Sequence, residues 1–212
     1  MRLARKAEAR VLDFDVECRP LSWYGGDWVT KEVTAIAWAW VDPKNPAKVK
    51  GRVECVLLGD DLADFTPEYQ VGEMLWAFRQ AYDAADIVTG HYIRGFDLPL
   101  LNGAALELGL EPLGPTLAQD TKGDLVRFSG LSKSQENLGA MLGLRHPKVG
   151  MDQASWRAAN RLTPEGIERT RKRVVGDVRQ HVEMRAALLD RGMLGPPRPW
   201  SPGAGTVKPY TP

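Results

Sequence analysis

The segment Arg10 to Glu17 reads R-V-L-D-F-D-V-E, with apolar residues at 11, 12, 14 and 16 and acids at 13, 15 and 17. That alternation predicts a strand. Side chains on a strand repeat every second residue, so Asp13, Asp15 and Glu17 share one face while Leu12, Phe14 and Val16 share the other. Neighbouring carboxylates raise one another's pKa unless a cation neutralises them, and a hard divalent ion such as Mg²⁺ or Mn²⁺ suits an all-oxygen ligand set. A charged edge strand kept soluble by its acids is the other reading of D-x-E, and the pair alone leaves both open.

Outward from this strand, Val33 to Val41 and Arg52 to Leu58 have the same character, with turn chemistry at Asp42-Pro43-Lys44-Asn45-Pro46 between them. The first sixty residues therefore read as an antiparallel meander of three strands. From Thr66 the period becomes helical. Thr66-Pro67-Glu68 supplies an N-cap and a first-turn Pro, and Val71, Leu75, Phe78 and Tyr82 follow at helix spacing. A short strand at Asp86 to Gly90 feeds a helix over Leu98 to Leu108, with Asp97 expected as its N-cap. Leu117 to Asp120 reads as another strand, and Ser132-x-x-Gln135 as a capping box for a helix stopping at Gly143. A short helix is expected within Met151 to Arg161, and the longest begins at Thr163-Pro164-Glu165 and ends near Gly192. The order predicts a mixed α/β layer fold: one domain over 1–192, then a Pro- and Gly-rich extended tail over 193–212.

With 212 residues, 28 Lys and Arg against 27 Asp and Glu, and 43% hydrophobic residues, the chain is neither a disordered tail nor strongly basic. Any contact with nucleic acid must come from a local patch. No apolar run is long enough to span a membrane and the first residues lack a signal-peptide core, so a soluble, cytoplasmic protein without membrane partners is expected. Cys18 and Cys55 have no C-x-x-C spacing, which disfavours disulfides and zinc. Neither a Walker-type phosphate loop nor a G-x-S-x-G elbow is present.

Two further acids complete the pattern. Asp97 closes Gly90-His91-Tyr92-Ile93-Arg94-Gly95-Phe96-Asp97-Leu98-Pro99, and Asp177 lies in Val174-Val175-Gly176-Asp177-Val178 on the inner stripe of the long helix, where an unpaired acid is costly. A D-x-E strand, an F-D-L-P segment about eighty residues on and a D-V in a C-terminal helix together resemble the DEDD superfamily of 3′-to-5′ exonucleases, similar to stand-alone relatives of the family B DNA polymerase exonuclease domain. The resemblance covers roughly Val11 to Leu189. It implies a ribonuclease H-like fold in which Asp15, Glu17, Asp97 and Asp177 hold two divalent ions, Mg²⁺ or Mn²⁺. It further implies hydrolysis of DNA 3′ ends, with RNA as the alternative, releasing nucleoside 5′-monophosphates. Single-stranded ends and replication proteins are the implied partners, and DNA replication or repair the implied setting.

One departure stands out. The family carries a Tyr four residues before its last Asp, or a His five before, and here those positions are Arg173 and Lys172. Neither is a base at neutral pH. His181, one turn after Asp177, is the nearest residue with suitable chemistry, and a packing role is the other reading of it. Substrate contacts are expected from His91, Tyr92 and Phe96 in the second motif, from Trp23 and Tyr24 in the loop after the D-x-E strand, and from the basic residues Lys133, Lys148 and Arg173. The competing expectation is a catalytically weak or inactive ribonuclease H-like module that binds nucleic acid or a replication partner. A junction-resolving endonuclease of the same broad fold would use a different arrangement of acids.

Overall fold

The computed structural model describes residues 9–21, 30–60 and 64–203. Seven strands, β1 (Val11–Pro20), β2 (Lys31–Asp42), β3 (Asn45–Val49), β4 (Glu54–Leu57), β5 (Ile87–Gly90), β6 (Thr116–Asp120) and β7 (Arg198–Trp200), form a sheet in the order β3-β2-β1-β5-β6-β7, with β4 also alongside β2. β1 pairs antiparallel with β2 and parallel with β5. Six helices pack around the sheet: α1 (Pro67–Asp83), α2 (Asp97–Glu107), α3 (Thr121–Asp124), α4 (Gln135–Leu142), α5 (Gln153–Asn160) and α6 (Pro164–Asp190).

The two faces of β1 meet different neighbours, as its alternation requires. Leu12, Phe14 and Val16 enter the main core with Phe78 and Met74 of α1 and Leu98 and Leu101 of α2. On the opposite face the β1–β2 register sets Asp13, Asp15 and Glu17 beside Ala39, Ala37 and Ala35. These alanines form a second cluster with Val174 and Val178 of α6. Small side chains on β2 let α6 lie close, and that proximity brings Asp177 down to β1.

Thr66 and Thr163 cap α1 and α6 as expected, each accepting a backbone N–H through its hydroxyl, with Pro in the first turn. Gly143 ends α4 with a φ of 64°. Several expectations need correction. Ser134, not Ser132, caps α4, and the side chain of Asn137 donates to Ser132 O. The turn after β2 is tighter than expected, and Asn45 onward returns as β3 because the two Pro residues lie where no ladder N–H is needed. The extended tail is not wholly detached: Arg198–Trp200 pairs antiparallel with β6, and Gly195 O accepts from Gln119.

Candidate metal centre

Asp15 and Glu17 project from β1, Asp177 from α6 and Asp97 from the start of α2. Carboxylate oxygens of Asp15, Glu17 and Asp177 lie within 4.8 Å of one another. Asp97 reaches the same strand by another route. Within β1, pairing with β5 extends only to Asp13, and the Val16 N–H beyond it donates to Asp97 Oδ1 at 3.0 Å. Asp97 is accordingly the first residue of α2 and not its N-cap, which is Phe96 without any side-chain cap.

Glycine makes that route possible. A Cβ on Gly90 would lie 2.6 Å from Phe14 O and 2.3 Å from the Ile93 side chain, so only Gly lets β5 end against β1. The following loop is anchored by Asp120. Its Oδ1 accepts from Tyr92 N and its Oδ2 from Arg94 N, both at 3.0 Å, and Oδ1 also accepts from Gly123 N. These bonds hold Tyr92 at a φ of 74°, a region disfavoured for a bulky side chain. The Lys122 ammonium lies 4.2 Å from the Tyr92 ring centroid.

The electrostatics follow from burial and crowding. Burial, then repulsion from Asp177, Asp97 and Glu17, pushes Asp15 well above the usual carboxylate range, and Lys148 pulls in the other direction. Burial raises Asp97 to about 8 against the Val16 hydrogen bond, with Asp120 and Glu17 adding to the rise. Burial also raises Glu17, opposed by Arg173. Two cations enter the cluster: Lys148 Nζ sits 2.9 Å from Asp177 Oδ2, and Arg173 Nε bonds Glu17 Oε1 while lying 4.0 Å from Asp177. Asp177 Oδ1 is buried without a hydrogen-bond partner among the described residues. An orphaned carboxylate oxygen beside two other carboxylates is a donor set that fits a hard divalent cation.

His181 occupies a different place from the one expected of it. Its Nδ1 lies 2.6 Å from Asp13 Oδ2 and its Nε2 3.0 Å from Thr121 Oγ1, while His91 bonds the same hydroxyl through Nδ1 and Lys133 O through Nε2. The network assigns the tautomers. A carbonyl only accepts, so His91 Nε2 donates to Lys133 O. Burial, then the neighbouring His181, lowers His91 to about 4, so it is neutral and its Nδ1 accepts the Thr121 proton. Thr121 has then used its one proton and accepts from His181 Nε2, which leaves His181 Nδ1 sharing a proton with Asp13. Neither ring has a nitrogen free for a water beside Asp177. One helical turn carries the His181 ring to Asp13, past Asp15.

The other expected contact residues divide. Lys148 and Arg173 are inside the acidic cluster, while Phe96, half-buried, lines a cleft of about 570 Å³ with Pro99 and Leu100, and Lys31 Nζ stands 4.9 Å from its ring centroid. Lys133 enters through its carbonyl. Trp23 and Tyr24 lie outside the described residues. The basic run before Asp177 is held by acceptors of the protein itself, Arg169 by Gly150 O, Arg171 by Asp60 and Lys172 by Glu168. Sequence reading did not single out Asp120 as an anchor, although an Asp ending a strand two residues before a Lys-Gly pair is the kind of signal that marks an Asx cap.

No family model matches the chain, and neither does any curated protein. Among solved structures it is similar to the family B DNA polymerase from the hyperthermophilic archaeon Pyrobaculum calidifontis, with a TM-score of 0.60 and 20% identity. The match covers 87% of this chain and 25% of the polymerase chain, so the matched part spans about a quarter of that protein. The fold is ribonuclease H-like, a mixed sheet with helices on both faces. Among the described residues no helix is long and apolar enough to cross a membrane.

Proposed function

We propose that the chain is a metal-dependent 3′-to-5′ exonuclease acting on single-stranded DNA ends, with RNA as the alternative substrate, and releasing nucleoside 5′-monophosphates. The observation that carries this reading is the convergence of Asp15, Glu17 and Asp177 from two elements, with Asp97 joined to the same strand and Asp177 Oδ1 unpartnered. A bound Mg²⁺ or Mn²⁺ would supply water activation and charge stabilisation at the scissile phosphate. Asp15, Glu17 and Asp177 would hold it. Asp97, raised to about 8 and fixed by Val16 N–H, is positioned to hold a proton until a cation approaches.

Phe96 and Lys31 in the adjoining cleft offer a stacking face and a phosphate-directed charge for a strand end. Tyr92, exposed and paired with Lys122, offers a second such surface. In this reading replication proteins are the partners that deliver 3′ ends, in DNA replication or repair.

A second reading, a nucleic-acid-binding or replication-partner-binding module with little or no activity, draws support from Arg173, which stands on Glu17 where the resemblance calls for a water-orienting Tyr. A time course with Mn²⁺ or Mg²⁺ on 5′-labelled single-stranded DNA, matched RNA and blunt duplex separates the two. The exonuclease reading predicts a ladder shortening from the 3′ end and nucleoside 5′-monophosphates among the products. Substrate left intact while still bound would replace it with the module.

A further inference from the structure

We infer that the carboxylate cluster takes one divalent ion and that Arg173 stands as a fixed positive charge in place of a second. This rests on the metal-dependent reading above and specifies its stoichiometry. The oxygens decide it. Of the four acids, Asp177 gives Oδ2 to Lys148, Glu17 gives Oε1 to Arg173, and Asp97 gives Oδ1 to the Val16 N–H. The group of oxygens near enough to share an ion comprises Asp15, Glu17 and Asp177, without Asp97. Asp177 Oδ1, on a residue only 1% exposed, has no partner among the described residues, and Asp177, unlike Asp13 with its own unpartnered oxygen, belongs to the group that can share an ion.

A guanidinium that stays protonated on Glu17 Oε1 occupies that oxygen and repels a second dication there. Arg173 is also hard to displace. Besides Glu17 it donates to Val149 O at 2.9 Å, and its guanidinium carbon lies 5.1 Å from the Trp156 ring centroid, so three parts of the protein hold it. Its side chain is 14% exposed. Lys148, by contrast, has a single ion-pair partner among the described residues, at the end of a flexible stem.

The test is isothermal titration of the full chain with Mn²⁺, alone and with saturating deoxythymidine 5′-monophosphate, which brings a phosphate to the site. Wild type is expected to take one Mn²⁺ per chain in both arms. Asp177→Asn should lose at least tenfold in affinity, Arg173→Gln should take a second ion when the monophosphate is present, and Arg173→Lys, which keeps the charge, should still take one. Circular dichroism checks folding, and wild type with Arg173→Lys decides the matter if Arg173→Gln does not fold. Two ions in wild type would overturn the inference and leave the nuclease reading standing. One ion in a folded Arg173→Gln would overturn the role of Arg173, and no Mn²⁺ binding at all would overturn both readings.

Discussion

Two acidic stations lie side by side on β1 and one turn apart on α6, and they are finished differently. At the first, Asp13 meets His181, which continues through Thr121 to the half-buried His91 and the Lys133 carbonyl, while Asp13 Oδ1 has no partner among the described residues. At the second, Asp15 and Glu17 meet Asp177, with Lys148 and Arg173 inserted and Asp177 Oδ1 left without a partner. The same strand face and the same helix thus produce one station tied into a hydrogen-bonded chain and another flanked by cations, each with one carboxylate oxygen unpartnered among the described residues. The Asp13–His181–Thr121 chain ties β1 to α6 and to the start of α3, and the neighbouring site inherits that spacing. The cluster of carboxylates beside it retains capacity for a cation.

The comparison breaks most sharply at Asp97. Asp97→Asn should lower single-strand DNA hydrolysis roughly a thousand-fold or more while leaving the fold intact, because it removes a carboxylate from the reaction centre and keeps an acceptor for Val16 N–H. Activity within a few-fold of wild type in a gel assay would remove Asp97 from the site. At the Asp13 station the large effect is on stability. His181→Ala leaves the buried Asp13 without its partner, and urea unfolding should show a loss of about 3 kcal/mol, in the range for breaking a buried pair. A loss under about 1 kcal/mol would mean the network does not brace the strand against α6.

A smaller effect is expected in pH. Asp97 in the folded, metal-free protein is raised to about 8 from an ordinary value of 3.8. Between those limits the unfolded chain has released this proton and the folded chain retains it, so folding takes up a proton and stability falls as pH rises. Thermal melts in chelator should therefore decline from pH 5 to pH 8 relative to Asp97→Asn, and added Mn²⁺ should restore more at pH 8 than at pH 5, since the ion binds the deprotonated form. Parallel melting curves for the two proteins across this range would contradict the placement of Asp97.

Much of this was legible in the sequence because strand periodicity is strict. Once Arg10 to Glu17 is read as a strand, Asp13, Asp15 and Glu17 must share a face, and the apolar spacing of α6 turns Asp177 toward it. The sequence did not reveal which strand residue each α6 side chain meets. His181 sits one turn from Asp177 and reads as its helper, yet β1 and α6 pass so that the next turn falls on Asp13. Asp97 read as a cap because Asp before Leu-Pro has that local meaning, but the unpaired Val16 N–H claims its side chain from 81 residues away. β7 escaped notice because three residues rich in Pro and Arg carry no alternation and pair only because β6 presents a free edge.

The most direct measurement sets the two stations against each other: the single-turnover rate of 3′-nucleotide release in Mn²⁺ for wild type, Asp13→Asn and Asp15→Asn, each normalised to its folded fraction. Loss of about a thousand-fold or more for Asp15→Asn, with Asp13→Asn within roughly tenfold of wild type, is the outcome expected if one station reacts and the other braces it. Equal losses from both substitutions, or none from Asp15→Asn, would contradict the division.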